Sequence, residues 1–218
     1  MLSPPRLLLM ALVDHRAGLL VTAAPGTGST ALGEALVAQR GATEAVGRDR
    51  AREVGVDAKH ATVRQLVEAG VVDAGHGMRI VTTTRNPFDF YVAEHTRTRT
   101  RWVHELRRPD SWVHRVPGAV DRIVDAVTLD FDDWLAQAIG DPVRPRRINR
   151  GHVTEADVVL RMERLESDVR ELLDLELAVP PTNVTDRERA YWRSYSVGSR
   201  RLVETAHAED LERFGYAF

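Results

Sequence analysis

The strongest constraint on this chain lies between Ala17 and Arg40. An apolar run, Leu19-Leu20-Val21, reads as a short buried strand. It leads into Ala24-Pro25-Gly26-Thr27-Gly28-Ser29-Thr30, a loop of small residues, after which Ala31, Leu32, Ala35 and Leu36 recur at helical spacing. Strand, glycine-rich turn and helix in this order form a phosphate cradle. Backbone N–H groups at the helix N-terminus face the anion, and the helix dipole favours negative charge there. Glycine lets the backbone come close and take positive φ, while Ser29 and Thr30 add hydroxyl donors. The same pattern also serves as a plain strand-to-helix turn, so the rest of the chain must decide between the two. A Walker A loop is excluded, because Gly28 is followed by Ser29 rather than by lysine.

The chain of 218 residues is long enough for a substantial core. With 43% hydrophobic and 28% charged residues it has the composition of a globular protein. A net charge of −2 supplies no overall field for nucleic acid, so no nucleic-acid partner is expected. The absence of cysteine excludes disulfides, thiolate metal sites and a cysteine nucleophile. The apolar run from Leu7 to Val13 is cut by Asp14, His15 and Arg16, far short of the roughly 20 residues a membrane span needs. It lacks the marks of a signal peptide, so no stable membrane anchor and a cytoplasmic location are expected. Lys59 is the single lysine; arginine everywhere else points to a GC-rich, bacterial genome.

Along the chain, residues 1–16 read as a short helix or arm and residues 41–58 as a polar connection. Residues 61–69 read as an amphipathic helix. Met78 to Thr84 is β-branched and apolar, a second strand, ended by Arg85-Asn86-Pro87 with a helix resuming near Asp89. Residues 97–116 are basic with Trp102 and Trp112 interleaved, and Arg97, Arg101 and Glu105 are spaced to share a helical face. Helices are expected over 131–139, 165–175 and 197–211, the last capped by Ser196, and a third strand over Val158 to Met162. Residues 141–151 form a basic loop. Strands alternating with helices predict an α/β fold with a central, largely parallel sheet flanked by helices. In such sheets ligands bind beyond the carboxyl ends of the strands. That location gives Arg85 a phosphate-binding reading, since its planar fork suits bidentate contacts.

Four motifs in order resemble the sulfotransferase family that uses 3′-phosphoadenosine 5′-phosphosulfate (PAPS), and its carbohydrate-type members most. Pro25 to Thr30 resembles the 5′-phosphosulfate loop, and Arg85-Asn86-Pro87-Phe88-Asp89 the 3′-phosphate motif. Leu160 to Leu165 is similar to the third strand, and the segment from Asn183 to Phe218 to the C-terminal pattern. The resemblance implies a P-loop-like three-layer sandwich, a single domain over 1–218 and transfer of a sulfuryl group to a hydroxyl of a glycan, lipid or secondary metabolite. Gly26, Thr27, Gly28, Ser29, Thr30 and Arg85 would bind the donor or its product, 3′,5′-adenosine bisphosphate (PAP), without a metal. Asn183, Thr185 and Arg187 would come from a loop over the adenosine and 3′-phosphate.

Two positions depart from the family pattern. Gly26 stands where the family carries lysine or arginine, and Ala93 where it carries a serine, eight residues after Arg85. Losing one such contact costs about 1–3 kcal/mol of binding, and losing a donor to transition-state charge roughly 10²–10³ in rate. Lys59 is the candidate replacement cation and His60 beside it the candidate base, since an imidazole titrates near neutrality. His95 is the next histidine in line, and Glu34 and Glu163 are reserve carboxylates. The basic stretch Arg97 to Arg108 either meets an anionic acceptor or is a solvated face. Two alternatives stay open, a degenerate nucleotide-binding module without catalysis and a small-molecule P-loop kinase. The acceptor is a small molecule or glycan, and the oligomeric state is open, a homodimer included.

Overall fold

The computed structural model describes residues 11–57, 59–141, 148, 151–182 and 184–218. In chain order these form β1 (Leu12–Asp14), β2 (Leu19–Val21), α1 (Ser29–Arg40), β3 (Thr43–Glu44), α2 (Arg48–Glu53), α3 (Val63–Glu68), β4 (Arg79–Thr84), α4 (Pro87–Thr100), α5 (Ala119–Thr128), α6 (Phe131–Gly140), α7 (His152–Glu155), β5 (Val158–Arg161), α8 (Leu165–Leu173), α9 (Val197–Ala206) and α10 (Ala208–Phe214). Within the stretch that the sequence marks as one domain, the described residues group into two compact units. The first falls within Met1–Arg85 and Ile148–Asn183, the second within Asn86–Arg147 and Val184–Phe218. Most of the basic loop at 141–151 and the N-terminal ten residues lie outside the described residues.

The first unit is built on a five-stranded sheet in the order β3-β1-β2-β4-β5. β2 and β4 pair in parallel, as do β4 and β5, whereas β1 runs antiparallel to both β2 and β3. The fold class α/β therefore holds, but the sheet is mixed rather than largely parallel. The cause is a hairpin hidden in what reads as an N-terminal arm. Asp14 Oδ1 accepts the N–H groups of Arg16 and Ala17 at 3.0 and 3.1 Å, an Asx turn that folds β1 back on β2. Leu12 then faces Val21 and Asp14 faces Leu19. Asp14 is only 1% exposed and pairs with Arg40 at the end of α1. Burial alone would raise its carboxyl pKa, but the Arg40 contact and the two N–H donors hold it below 3.8.

Alternation along the strands supplies apolar groups to both faces. Leu12, Leu19 and Val21 join Leu32 and Leu36 of α1 and Val169 of α8 in one cluster. Val13 and Leu20 join Val46, Ala51, Val63 and Leu66, which covers the opposite face with α2 and α3. Residues 41–58, expected as a plain connection, thus carry β3 and α2. β2, α3, β4, β5 and α8 lie within a residue or two of their expected bounds, whereas the short α7 was not expected.

The second unit is helical and aromatic. Asn86 caps α4, its side-chain oxygen accepting from Phe88 N–H at 3.0 Å, and Pro87 occupies the first turn. The basic stretch does not continue this helix: 3₁₀ turns take over at Trp102–Arg107 and Trp112–His114, with the two indoles edge to face at 5.7 Å. Arg97, Arg101 and Glu105 therefore share no single α-helical face. The expected final helix is interrupted at His207, whose φ of −124° ends α9. Its ring meets Tyr91 Oη at 2.8 Å and Asp210 at 3.2 Å. Ser196 does cap α9, in a reciprocal pair with Ser199.

His95 is 6% exposed and packs against Trp134 at 4.8 Å and Phe131 at 5.5 Å. Burial, then the charge of Arg99, pulls its pKa from 6.5 to about 4, against the opposing effects of the Ala126 carbonyl and Asp130. Its ring is a core element held neutral. Because the unfolded chain binds a proton near pH 6.5 and the folded one only near 4, stability is full above 6.5 and falls as the pH drops towards 4, by about 3 kcal/mol in total. Urea unfolding across this range is expected to show that slope, and His95→Gln, which keeps a donor for Ala126, to flatten it. Equal slopes in the two proteins would assign the acid sensitivity elsewhere.

Candidate functional site

Glycine fixes the shape of the loop between β2 and α1. Gly26 has φ +77° and Gly28 φ +84°, both left-handed, so neither position suits a side chain. Gly28 is the N-cap of α1, and a Cβ there would lie 2.8 Å from Met162 Cγ. The loop therefore sits directly against the turn that follows β5. The same geometry explains the glycine at position 26: a lysine or arginine there would be strained.

Side chains engage the loop's carbonyl oxygens one after another. Thr82 Oγ1 donates to Thr22 O at 3.4 Å, and the His60 ring meets Ala23 O through Nδ1 at 2.7 Å. Thr27 Oγ1 and Ser29 Oγ both donate to Ala24 O, at 2.8 and 3.0 Å. Arg85 Nη1 donates to Gly26 O at 3.1 Å. Thr27 Oγ1 also lies 2.5 Å from Thr83 Oγ1, which ties the loop to the end of β4. Of the four carbonyls taken, only Gly26 O lies opposite an N–H at the helix start, that of Thr27; the peptide after Ala24 has none, because Pro25 follows. The first backbone bond of α1 runs from Leu32 N to Gly28 O. Among the described residues, no hydrogen bond occupies the N–H groups of Thr27 to Ala31. The result is a row of donors at the start of a helix of 12 residues.

Arg85 is 6% exposed, so its charge is held in a low-dielectric setting beside the loop. It reaches the carbonyl of the same glycine that lacks a charged side chain. The sequence offered Lys59 as the replacement cation; the structure shows a second cation, Arg85, bonded to this loop. A motif placed at the end of the neighbouring parallel strand was the available signal, since β4 lies beside β2.

Lys59 and His60 occupy the turn before α3. Asp57 Oδ1 accepts both of their N–H groups, at 2.9 and 3.0 Å. The structure thus brings the His60 ring onto the loop, and for Lys59 it fixes the backbone. Ser29, expected to offer its hydroxyl to a ligand, spends it on Ala24, as does Thr27 of the same loop. Thr30, half-buried in the first turn of α1, keeps its place at the donor row.

The remaining expected residues fall elsewhere. Thr185 and Arg187 belong to the second unit, where Thr185 accepts from Arg97 at 3.4 Å and Arg187 forms a close ion pair with Asp89. Asn183 lies outside the described residues. Ala93 is 1% exposed, inside the second unit's core. Glu34 accepts from Thr182 at 2.8 Å, and Glu163 is exposed. Among the described residues there is no group of three or more His, Cys, Asp or Glu able to hold a metal, and no helix long and apolar enough to cross a membrane. Compared with known proteins, the chain matches no family model, no curated protein and no solved structure.

Proposed function

We propose that the chain is a PAPS-dependent sulfotransferase with a P-loop-like three-layer arrangement around the loop of Gly26 to Thr30. One observation carries the anion-binding part: among the described residues, no hydrogen bond occupies the N–H groups of Thr27 to Ala31 at the start of α1. Such a row of donors selects an anionic group and rejects a cation. The order of motifs in the sequence adds the identity of the anion, a phosphosulfate.

The donor supplies a sulfur centre with a phosphate leaving group. The loop N–H groups and Thr30 bind and orient it. Arg85 holds the loop through Gly26 O and adds positive charge beside it. The acceptor oxygen bonds to sulfur as the sulfur–oxygen bond to phosphate breaks, and the bisphosphate leaves with the electron pair. The acceptor's proton goes to His60. A carbonyl can only accept, so the bond to Ala23 O puts the ring hydrogen on Nδ1. Nε2 is then the basic nitrogen.

Calorimetric titration of PAP against ATP tests the reading. A sulfotransferase binds the bisphosphate tightly and ATP weakly. The reverse order favours a small-molecule kinase. Tight bisphosphate binding with no transfer to any hydroxyl acceptor favours a nucleotide-binding module without catalysis.

A further inference from the structure

We propose that Asp57 is the positioning residue for His60: it locks the turn that seats the imidazole on the phosphate loop and so makes Nε2 the nitrogen facing the acceptor's proton. The proposal rests on the sulfotransferase reading for its catalytic consequence, though not for its geometry. One carboxylate oxygen of Asp57 accepts from both Lys59 N and His60 N, at 2.9 and 3.0 Å. The Asp57 carbonyl accepts from Ala61 N at 3.1 Å, closing the same turn from the main chain. Immediately beyond, Ala61 is 3% exposed in the apolar cluster. Thr62 and Gln65 then exchange capping bonds at the start of α3. The His60 backbone is thus held on one side by Asp57 and on the other by a buried, capped helix start. That leaves the ring's own rotation, which the 2.7 Å bond to Ala23 O removes.

Glycine-rich loops and their catalytic bases usually come from separate segments that must be kept in register, and a misplacement of about 1 Å can cost on the order of 10²-fold in rate. Here the register is set by a single side chain two residues before Lys59 and three before His60. Asp57 itself is exposed. It has no apolar packing to lose, so its replacement acts through the turn.

The test uses the full chain with Asp57→Ala, Asp57→Asn and Asp57→Glu, read by imidazole nitrogen NMR and by donor kinetics. Wild type and Asp57→Asn, whose amide oxygen can accept both N–H bonds, are expected to hold His60 as the Nδ1–H tautomer. Asp57→Ala is expected to move it towards the mixed tautomers of an unanchored histidine and to lower kcat at least about tenfold with donor KM unchanged. Asp57→Glu, with its acceptor one methylene further out, is expected to behave like the alanine variant. An unchanged tautomer and kcat in Asp57→Ala overturn the proposal, as does failure of Asp57→Asn to restore both. Should the alanine variant not fold, the asparagine and glutamate pair decides by the same readouts. If no protein in the set, wild type included, transfers sulfuryl groups, the functional reading fails, and the spectra alone decide whether Asp57 sets the tautomer.

Discussion

Replacing Gly28 by valine is expected to abolish binding of PAP and to destabilise the first unit by about 2–4 kcal/mol. Two effects combine. Position 28 holds φ +84°, where a β-branched residue is strained. Its Cβ would also come to 2.8 Å from Met162 Cγ and 3.6 Å from Leu165 Cδ2. The backbone must move to relieve both, and the N–H row at the start of α1 moves with it. Urea unfolding and titration on the same sample measure the two losses. Met162→Ala in the Gly28→Val background separates them: it is expected to recover the steric part of the stability and none of the binding. Unchanged bisphosphate affinity in Gly28→Val would show that the loop is only a turn.

The second large effect is expected at Asp168, which closes the end of β5 against α8. It is fully buried and accepts three bonds from one residue: Arg161 N and Nε to Oδ2, at 2.8 and 2.9 Å, and Nη2 to Oδ1 at 2.7 Å. Asp168→Ala removes the acceptor of three bonds from Arg161, whose side chain is 30% exposed and can be rehydrated, so the loss is about 2–3 kcal/mol. The pair is also pH-sensitive. Burial alone raises the carboxyl pKa. The bonds from Arg161, then its charge and that of Arg164, more than offset this and hold the pKa below 3.8. Stability from the pair is therefore present above pH 3.8 and lost as the pH falls through the lower folded value. Unfolding at neutral pH gives the size of the loss. Comparison of wild type with Asp168→Ala below pH 3.8 is expected to show the two converging. A loss under about 1 kcal/mol at neutral pH would place Asp168 among ordinary surface ion pairs.

Much of the first unit's frame was legible because hydrophobic runs and their stops coincide there. Leu19 to Val21 forms β2 as expected, the small-residue loop follows, and α1 begins at Ser29. β4 ends where Arg85-Asn86-Pro87 breaks the run. What stayed hidden depends on pairing rather than on local pattern. The charges at Asp14, His15 and Arg16 read as an interruption, yet Asp14 is the turn residue that makes β1 a strand. β3 has only two residues, too few for any periodicity to register. The end of α9 at His207 depends on side chains of Tyr91 and Asp210, one of them 116 residues away.

The candidate site shows the same division. The loop pattern pointed to Ser29 and Thr30 as hydroxyl donors. The use of Ser29, and of Thr27, against Ala24 O follows from the loop's three-dimensional path. Lys59 stood out as the single lysine. The cation bonded to the loop, Arg85, lies 59 residues from its acceptor, and only the parallel pairing of β2 with β4 brings the two together. His60 was legible as a candidate base. Its tautomer was not, since that is set by a backbone carbonyl 37 residues away.

The central claim is that an N–H face at the start of α1 holds the phosphosulfate end of the donor. Calorimetric titration of the full chain with PAP, set against ATP and repeated with Gly28→Val, tests it most directly. The bisphosphate is expected to bind wild type at least about tenfold tighter than ATP, a difference of about 1.4 kcal/mol, and Gly28→Val is expected to lose this binding. ATP bound as tightly as the bisphosphate, or bisphosphate bound equally by Gly28→Val, would contradict it.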